Sequence, residues 1–142
     1  QRLGRQIYCL VRGPEPEGRL RRLVEKTGVA LTGGEWDRVH ILQGDLTEPG
    51  LGLERTTYEL LVQGIGEVVH NGAVVNHLLP YKALQSANVG GSLRVAQLAW
   101  QARATFNFVS SIAAVPPKMP APEKWLGQLP NESYAALGGY GQ

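Results

Sequence analysis

Four short apolar runs, separated by three stretches with helical spacing, constrain this chain more than any other feature. Ile7 to Val11 (Ile-Tyr-Cys-Leu-Val) is nearly continuous in its apolarity and rich in strand formers, the pattern of a strand buried on both faces. Val39 to Leu42, Glu67 to His70 and Phe106 to Val109 read as three more strands. Between them, Glu17 to Thr27 carries Leu20, Leu23 and Val24 at helical spacing and stops at Gly28. Thr56 to Gln63 carries Tyr58, Leu61 and Val62 and reads as a short helix. The longest helical pattern runs from about Tyr81 to Arg103, with Leu84, Ala87, Gly91, Val95, Leu98 and Ala99 on one face. Gly90 and Gly91 inside it each cost roughly 1 kcal/mol relative to alanine. A helix tolerates that where its backbone must lie close to another group. A Pro-rich loop spans Pro116 to Pro122, and a further helix is expected to start near Ser133.

This order makes three βαβ units in series. The expected fold is therefore α/β, a doubly wound, Rossmann-like parallel sheet with helices on both faces. No internal repeat or linker divides the chain, so residues 1–142 read as part of one domain. Open sheets of this kind bind ligands at the carboxyl ends of their strands. The residues that count are then Arg12; Gly44, Asp45 and Leu46; Asn71, Gly72 and Ala73; and Ser110 and Ser111.

Composition excludes several classes. Apolar content of 43% and charged content of 18% are globular values. A net charge of +2 without a basic run gives no footprint for nucleic acid. No stretch approaches the roughly 18 apolar residues of a membrane helix. The single cysteine, Cys9, cannot form an internal disulfide, which fits a cytoplasmic protein, and its apolar surroundings suit a small buried hydrophobe rather than a reactive thiol. The one methionine is Met119, so no initiator begins the chain; with no Gly-rich loop at its start and no residue four places after Tyr140, it reads as a fragment cut at both ends. His40, His70 and His77 lack metal-ligand spacing, and His40 and His70 fall in strand patterns as core or edge residues. Trp36, Trp100 and Trp125 read as packing residues.

The strand ends carry the chemistry. Dinucleotide folds commonly place an acid after this strand to accept from the adenosine ribose, and a base there suits the extra 2′-phosphate of NADP. Arg12, whose planar guanidinium can grip phosphate oxygens, occupies that place, and Arg22 lies one helix on. The alternative is a pair of solvated surface arginines. Asp45 can accept from an adenine amino group while Leu46 packs on the ring, or Asp45 simply caps a turn. Asn71-Gly72-Ala73 is small enough for close backbone approach to a ligand, or is a plain loop. A hydroxyl at Ser110 or Ser111 can hydrogen-bond a carbonyl oxygen that is gaining negative charge. Tyr140 can supply that oxygen with a proton if a cation eases its ionisation, or it is a half-buried tyrosine near a helix start.

Taken in order, these phrases resemble the extended short-chain dehydrogenase/reductase family, and within it the thioester reductase branch. That branch comprises the terminal reductase domains of nonribosomal peptide and polyketide synthetases, of carboxylic acid reductases and of aminoadipate reductase. The matching phrases are Tyr8-Cys9-Leu10-Val11-Arg12, Gly44-Asp45-Leu46 with Leu51-Gly52-Leu53, and His70-Asn71-Gly72-Ala73 with Val75-Asn76. Pro80-Tyr81, Asn88-Val89 with Gly91, Phe108-Val109-Ser110-Ser111 and Gly139-Tyr140-Gly141-Gln142 follow. The resemblance covers nearly the whole chain. It implies NADPH as cofactor, with Arg12 and Arg22 on the 2′-phosphate, Asp45 and Leu46 beside adenine, and Asn71, Gly72 and Ala73 lining the cofactor. It implies Ser111 and Tyr140 as catalytic residues and Asn88 as a support from the long helix. Serine at 111 replaces the family's commoner threonine. The implied reaction reduces an acyl, aminoacyl or peptidyl thioester, carried on the phosphopantetheine arm of a carrier protein, to an aldehyde or on to an alcohol. The family's Gly-rich loop and catalytic lysine match nothing in these residues. The other readings are an extended family member acting on a nucleotide sugar or steroid, and a non-catalytic nucleotide-binding fold.

Overall fold

The computed structural model describes residues 4–111. Strand β1 (Ile7–Val11) leads into helix α1 (Pro16–Lys26), and a one-turn helix α2 (Gly33–Trp36) precedes strand β2 (Val39–Gln43). A tight turn at Pro49–Gly52 leads to helix α3 (Arg55–Gly64) and strand β3 (Glu67–His70). Helix α4 (Tyr81–Gln85) runs through a π-helical turn (Ser86–Gly90) into helix α5 (Gly91–Gln101), and strand β4 (Thr105–Phe108) follows. The expected alternation is present, and the expected long helix is interrupted by the wide turn.

The chain divides into two compact units, Gln1–Leu60 and Leu61–Gln142. In the first, β1 and β2 pair in parallel, with Ile7 opposite Val39 and Val11 opposite Gln43. Helix α1 packs against both strands. Its start and stop are written locally. Pro16 opens it, where a missing N–H costs nothing; Glu17 and Lys26 complement the helix dipole at the two ends. Thr27 closes the last turn by donating its hydroxyl to the Val24 carbonyl at 2.6 Å. Gly28 then leaves the helix at φ 74°, a left-handed conformation that favours glycine. Helix α2 begins at Thr32, whose backbone N–H donates to the Glu35 carboxylate at 2.8 Å, the reciprocal half of a capping box.

In the second unit β3 and β4 pair in parallel, with Glu67 opposite Thr105 and His70 opposite Phe108. Helix α5 packs on both. The core of this unit is Leu61 together with Leu84, Ala87, Val95, Leu98 and Ala99 of the helical stretch, each at most 9% exposed, with Gly91 also buried. The residues of that stretch are the apolar face expected from the spacing. Burial of Val95 and Leu98 stabilises the unit by about 1.5–3 kcal/mol each. The glycines of this helix meet different surroundings. Gly91 is in the core, while a Cβ at Gly90 would press on the movable end of Arg94 and make an ordinary contact with the Gln85 carbonyl oxygen at 3.8 Å.

Two parallel pairs, 1–2 and 3–4, fit a doubly wound fold. One expectation needs correction. Strand β1 is not buried on both faces: Ile7 is 51% and Tyr8 47% exposed, and Phe108 in β4 is 54% exposed. A continuous apolar run shows that a strand can be covered twice; it does not say what covers each face within the unit. No helix among the described residues is long and apolar enough to cross a membrane.

Candidate active site

The first group of candidates lies where β1 and β2 end side by side. The pairing continues past the strands, since the Gly44 N–H donates to the Val11 carbonyl at 3.2 Å. Arg12 and Asp45 therefore leave the pair together. Asp45 accepts from both the backbone N–H and the hydroxyl of Thr47, at 2.8 and 2.7 Å, and both bonds go to Oδ1. These bonds, with a smaller contribution from the Arg12 charge, hold the Asp45 carboxyl below its ordinary range. The turn-capping alternative for Asp45 is thus realised, and Oδ2 has no bond among the described residues.

Beneath this loop sits Leu51, 3% exposed. Its carbonyl accepts from the Asp45 N–H at 2.8 Å. A Cβ at Gly44 would collide with that same carbonyl oxygen and with the Leu10 side chain, so glycine is required for the close approach. Leu51 itself adopts φ 62° between Gly50 and Gly52, which are also left-handed. Leu46 is half-buried beside this turn.

Arginines ring the start of α1. Arg12 and Arg22 are exposed. Arg22 folds back along its helix, within 3.2 Å of where a Gly18 Cβ would stand. Arg19, which was not among the expected residues, places Nη1 3.7 Å from the corresponding point at Gly13, immediately after Arg12. The signal for Arg19 was its place in the first turns of the helix after β1. Arg21 is committed elsewhere, ion-paired to Glu17 at 2.9 Å and lying over the Trp36 ring at 4.3 Å.

The second group follows β3. Asn71, Gly72 and Ala73 are exposed, and a polar bond anchors the loop at each end. Asn88, in the π-helical turn, accepts from the Val74 N–H at 2.7 Å and donates to the Val74 carbonyl at 3.1 Å. At the other end His70 is 4% exposed, its Nε2 2.9 Å from the Ser92 hydroxyl. Burial holds the His70 pKa below its ordinary value, which favours the neutral ring. His70 is a buried strand-end residue, within the core-or-edge reading, while its bond to Ser92 was not foreseen. His40 is exposed, stacked on Tyr8 at 4.9 Å and bonded to Gln6 at 2.7 Å.

Ser110 and Ser111 follow β4, whose pairing extends one step through the Val109 N–H to the His70 carbonyl at 2.9 Å. Ser110 is exposed and Ser111 half-buried. Tyr140 lies outside the described residues, as do Met119, Trp125 and the helix start expected near Ser133. Cys9 is partly buried, and burial raises its thiol pKa, so it is not an activated nucleophile. Among the described residues no group of three or more His, Cys, Asp or Glu could hold a metal ion.

Comparison with known proteins adds an independent line. A family model for NAD-binding domains, described as male sterility protein, matches residues 1–135. The chain is 36% identical over 96% of its length to glycine betaine reductase of Emericella nidulans, of which it spans 11%. It is 32% identical over 79% of its length to the L-2-aminoadipate reductase large subunit of Eremothecium gossypii, of which it spans 8%. The solved terminal R domain of the myxalamid PKS-NRPS pathway matches 99% of the chain at 32% identity and a TM-score of 0.82, and the chain covers 36% of that structure.

Proposed function

The chain belongs to the male sterility protein family of NAD-binding reductase domains, and on that premise we propose that its parent protein reduces a carrier-bound acyl, aminoacyl or peptidyl thioester with NADPH. The observation that carries this reading is the likeness to a terminal R domain over 99% of the chain. The relatives named reductases point the same way.

The residues after β1 fit the 2′-phosphate of NADPH. Arg12 and Arg19 bring cationic donors to one loop, with Arg22 on the next turn of α1. Guanidinium forks suit phosphate oxygens and are always charged. Asp45 and Leu46 supply an acceptor and an apolar surface for adenine. Asn71, Gly72 and Ala73 offer an exposed backbone with little side chain, suited to lining the cofactor. When bound, the dihydronicotinamide supplies hydride.

The chain's own residues handle the oxygen and the proton. Ser111 donates a hydrogen bond to the thioester carbonyl oxygen as negative charge grows on it. Tyr140 delivers the proton to that oxygen as a general acid. One hydride and one proton convert the carbonyl to a hemithioacetal. Its carbon–sulfur bond then breaks, releasing an aldehyde and the thiol of the carrier's phosphopantetheine arm. Asn88 acts from behind, by fixing Val74 and the loop before it.

The test uses the full-length parent protein with an acyl thioester on its carrier or on coenzyme A. NADPH oxidation with stoichiometric aldehyde, trapped as a hydrazone, is the expected result. Absence of oxidation with every thioester, together with turnover of a nucleotide sugar, would overturn the proposal.

A further inference from the structure

The loop Asn71–Ala73 is held at two points by side chains, Asn88 at one end and His70 at the other, and the proposed chemistry does not use His70. Val74 is gripped by Asn88 through two hydrogen bonds. At the other end, His70 reaches Ser92. The Ser92 hydroxyl lies 2.5 Å from the Asn88 carbonyl and donates its only proton there. Its oxygen can then only accept from His70, so the proton on the His70 ring sits on Nε2. The result is one connected line: His70 to Ser92, Ser92 to the Asn88 backbone, the Asn88 side chain to Val74. It crosses the π-helical turn at Ser86–Gly90, an irregularity that recurs at functional sites.

We infer that His70 is a positioning residue, which through Ser92 fixes the backbone of Asn88 and so sets the shape of the Asn71–Gly72–Ala73 loop for its ligand. The inference rests on the proposed reading of that loop as cofactor-lining. Two features make His70 suited to the task. It is the last residue of β3, so its backbone is tied to β4 where the Val109 N–H meets its carbonyl. Its ring is wedged beside Phe106 and Phe108, with centroids 6.3 and 5.6 Å away. The donor thus has a fixed origin and a fixed direction. Serine is equally constrained. An apolar residue at 92 would leave a buried N–H on His70 without its partner.

The ring and the donor can be separated by substitution. His70→Phe keeps an aromatic ring beside Phe106 and Phe108 and removes the donor. His70→Gln removes the ring but keeps an amide N–H at about the reach of Nε2. A positioning role and a packing role then predict opposite orders. We expect His70→Phe and Ser92→Ala each to weaken NADPH binding by the full-length reductase about tenfold, the factor that corresponds to ~1.4 kcal/mol. His70→Gln should bind within about threefold of the unchanged protein while melting at a lower temperature. The double variant His70→Phe, Ser92→Ala should be no weaker than either single change, because both cut the same line.

Affinity is read by titration of NADPH fluorescence and stability by thermal unfolding. Normal affinity in His70→Phe and Ser92→Ala, or affinity that follows the ring rather than the donor, overturns the inference. If His70→Phe fails to fold, Ser92→Ala decides alone, since alanine is favourable in a helix. The two proposals fail separately. Thioester turnover by the unchanged protein with affinities indifferent to the donor removes the role of His70 and leaves the function. Tight NADPH binding without thioester turnover removes the substrate and leaves the loop test standing. Absence of NADPH binding removes both.

Discussion

Leu51 offers a test in which the usual ranking of two substitutions should invert. It is 3% exposed and sits at φ 62°. Replacing a buried leucine by alanine costs about 2–5 kcal/mol in lost burial and residual cavity. Leu51→Ala keeps a Cβ and so keeps the left-handed strain, about 1–2 kcal/mol. Leu51→Gly loses the Cβ as well but releases that strain. Against this stands the extra freedom of glycine in the unfolded chain, about 0.5–1 kcal/mol. The net favours glycine over alanine by roughly 0.5–1 kcal/mol, the reverse of the order in ordinary helix or strand. The Asp45 N–H, bonded to the Leu51 carbonyl at 2.8 Å, reports local opening of this turn. Amide hydrogen exchange over Val39–Leu53 should accelerate strongly in both variants, and be roughly two- to five-fold slower in Leu51→Gly than in Leu51→Ala. Exchange in the glycine variant equal to or faster than in the alanine variant would refute the account of strain.

Two further outcomes follow from the same loop. Gly44→Ala forces its Cβ against the Leu51 carbonyl oxygen and the Leu10 side chain; since a carbonyl cannot rotate away, destabilisation by about 1–3 kcal/mol is expected, read as a lowered unfolding temperature. The Asp45 carboxyl titrates below its ordinary range because Thr47 donates to it. Its stabilisation is therefore complete above about pH 4, the ordinary range, and fades as pH falls through the lower folded value. Asp45→Asn should unfold at a temperature less sensitive to acid than the unchanged protein in that window, and an identical acid dependence would remove Asp45 as a contributor.

Much of the fold was legible because it rests on periodicity. The six residues named for the inner face of the long helix, from Leu84 to Ala99, are the ones the structure buries. The strands fell within one residue of their observed ends, since each is a compact block of strand formers closed by glycine or a polar residue. Helix α2 escaped notice. Its glycines, Gly33 and Gly34, argue against a helix by propensity, yet Thr32 and Glu35 carry the spacing of a capping box. The left-handed run at Gly50–Gly52 was equally hidden, because only its two glycines advertise positive φ, and the leucine between them reads as an ordinary apolar residue.

The site shows why residue type alone leaves roles open. For Asp45 a cap and a ligand contact read as rivals from sequence. A carboxylate has two oxygens, and here Thr47 uses Oδ1, so the first role does not consume the second. Asn88 accepts from and donates to Val74, and on the proposed reading it acts as a support for the loop rather than as a group that meets substrate. His70 looked like a core histidine and is one by burial, but its bond to Ser92 spans a distance in sequence that no local pattern encodes. In each case the polar side chain first shapes the turn that carries it. A loop that must meet a nucleotide with its backbone needs that shape before the ligand arrives, because ordering it on binding would subtract from affinity. On the proposed reading of these loops, the bonds of Asp45, Asn88 and His70 supply that order in advance, and their removal should therefore appear first as weaker binding and only second as lost stability.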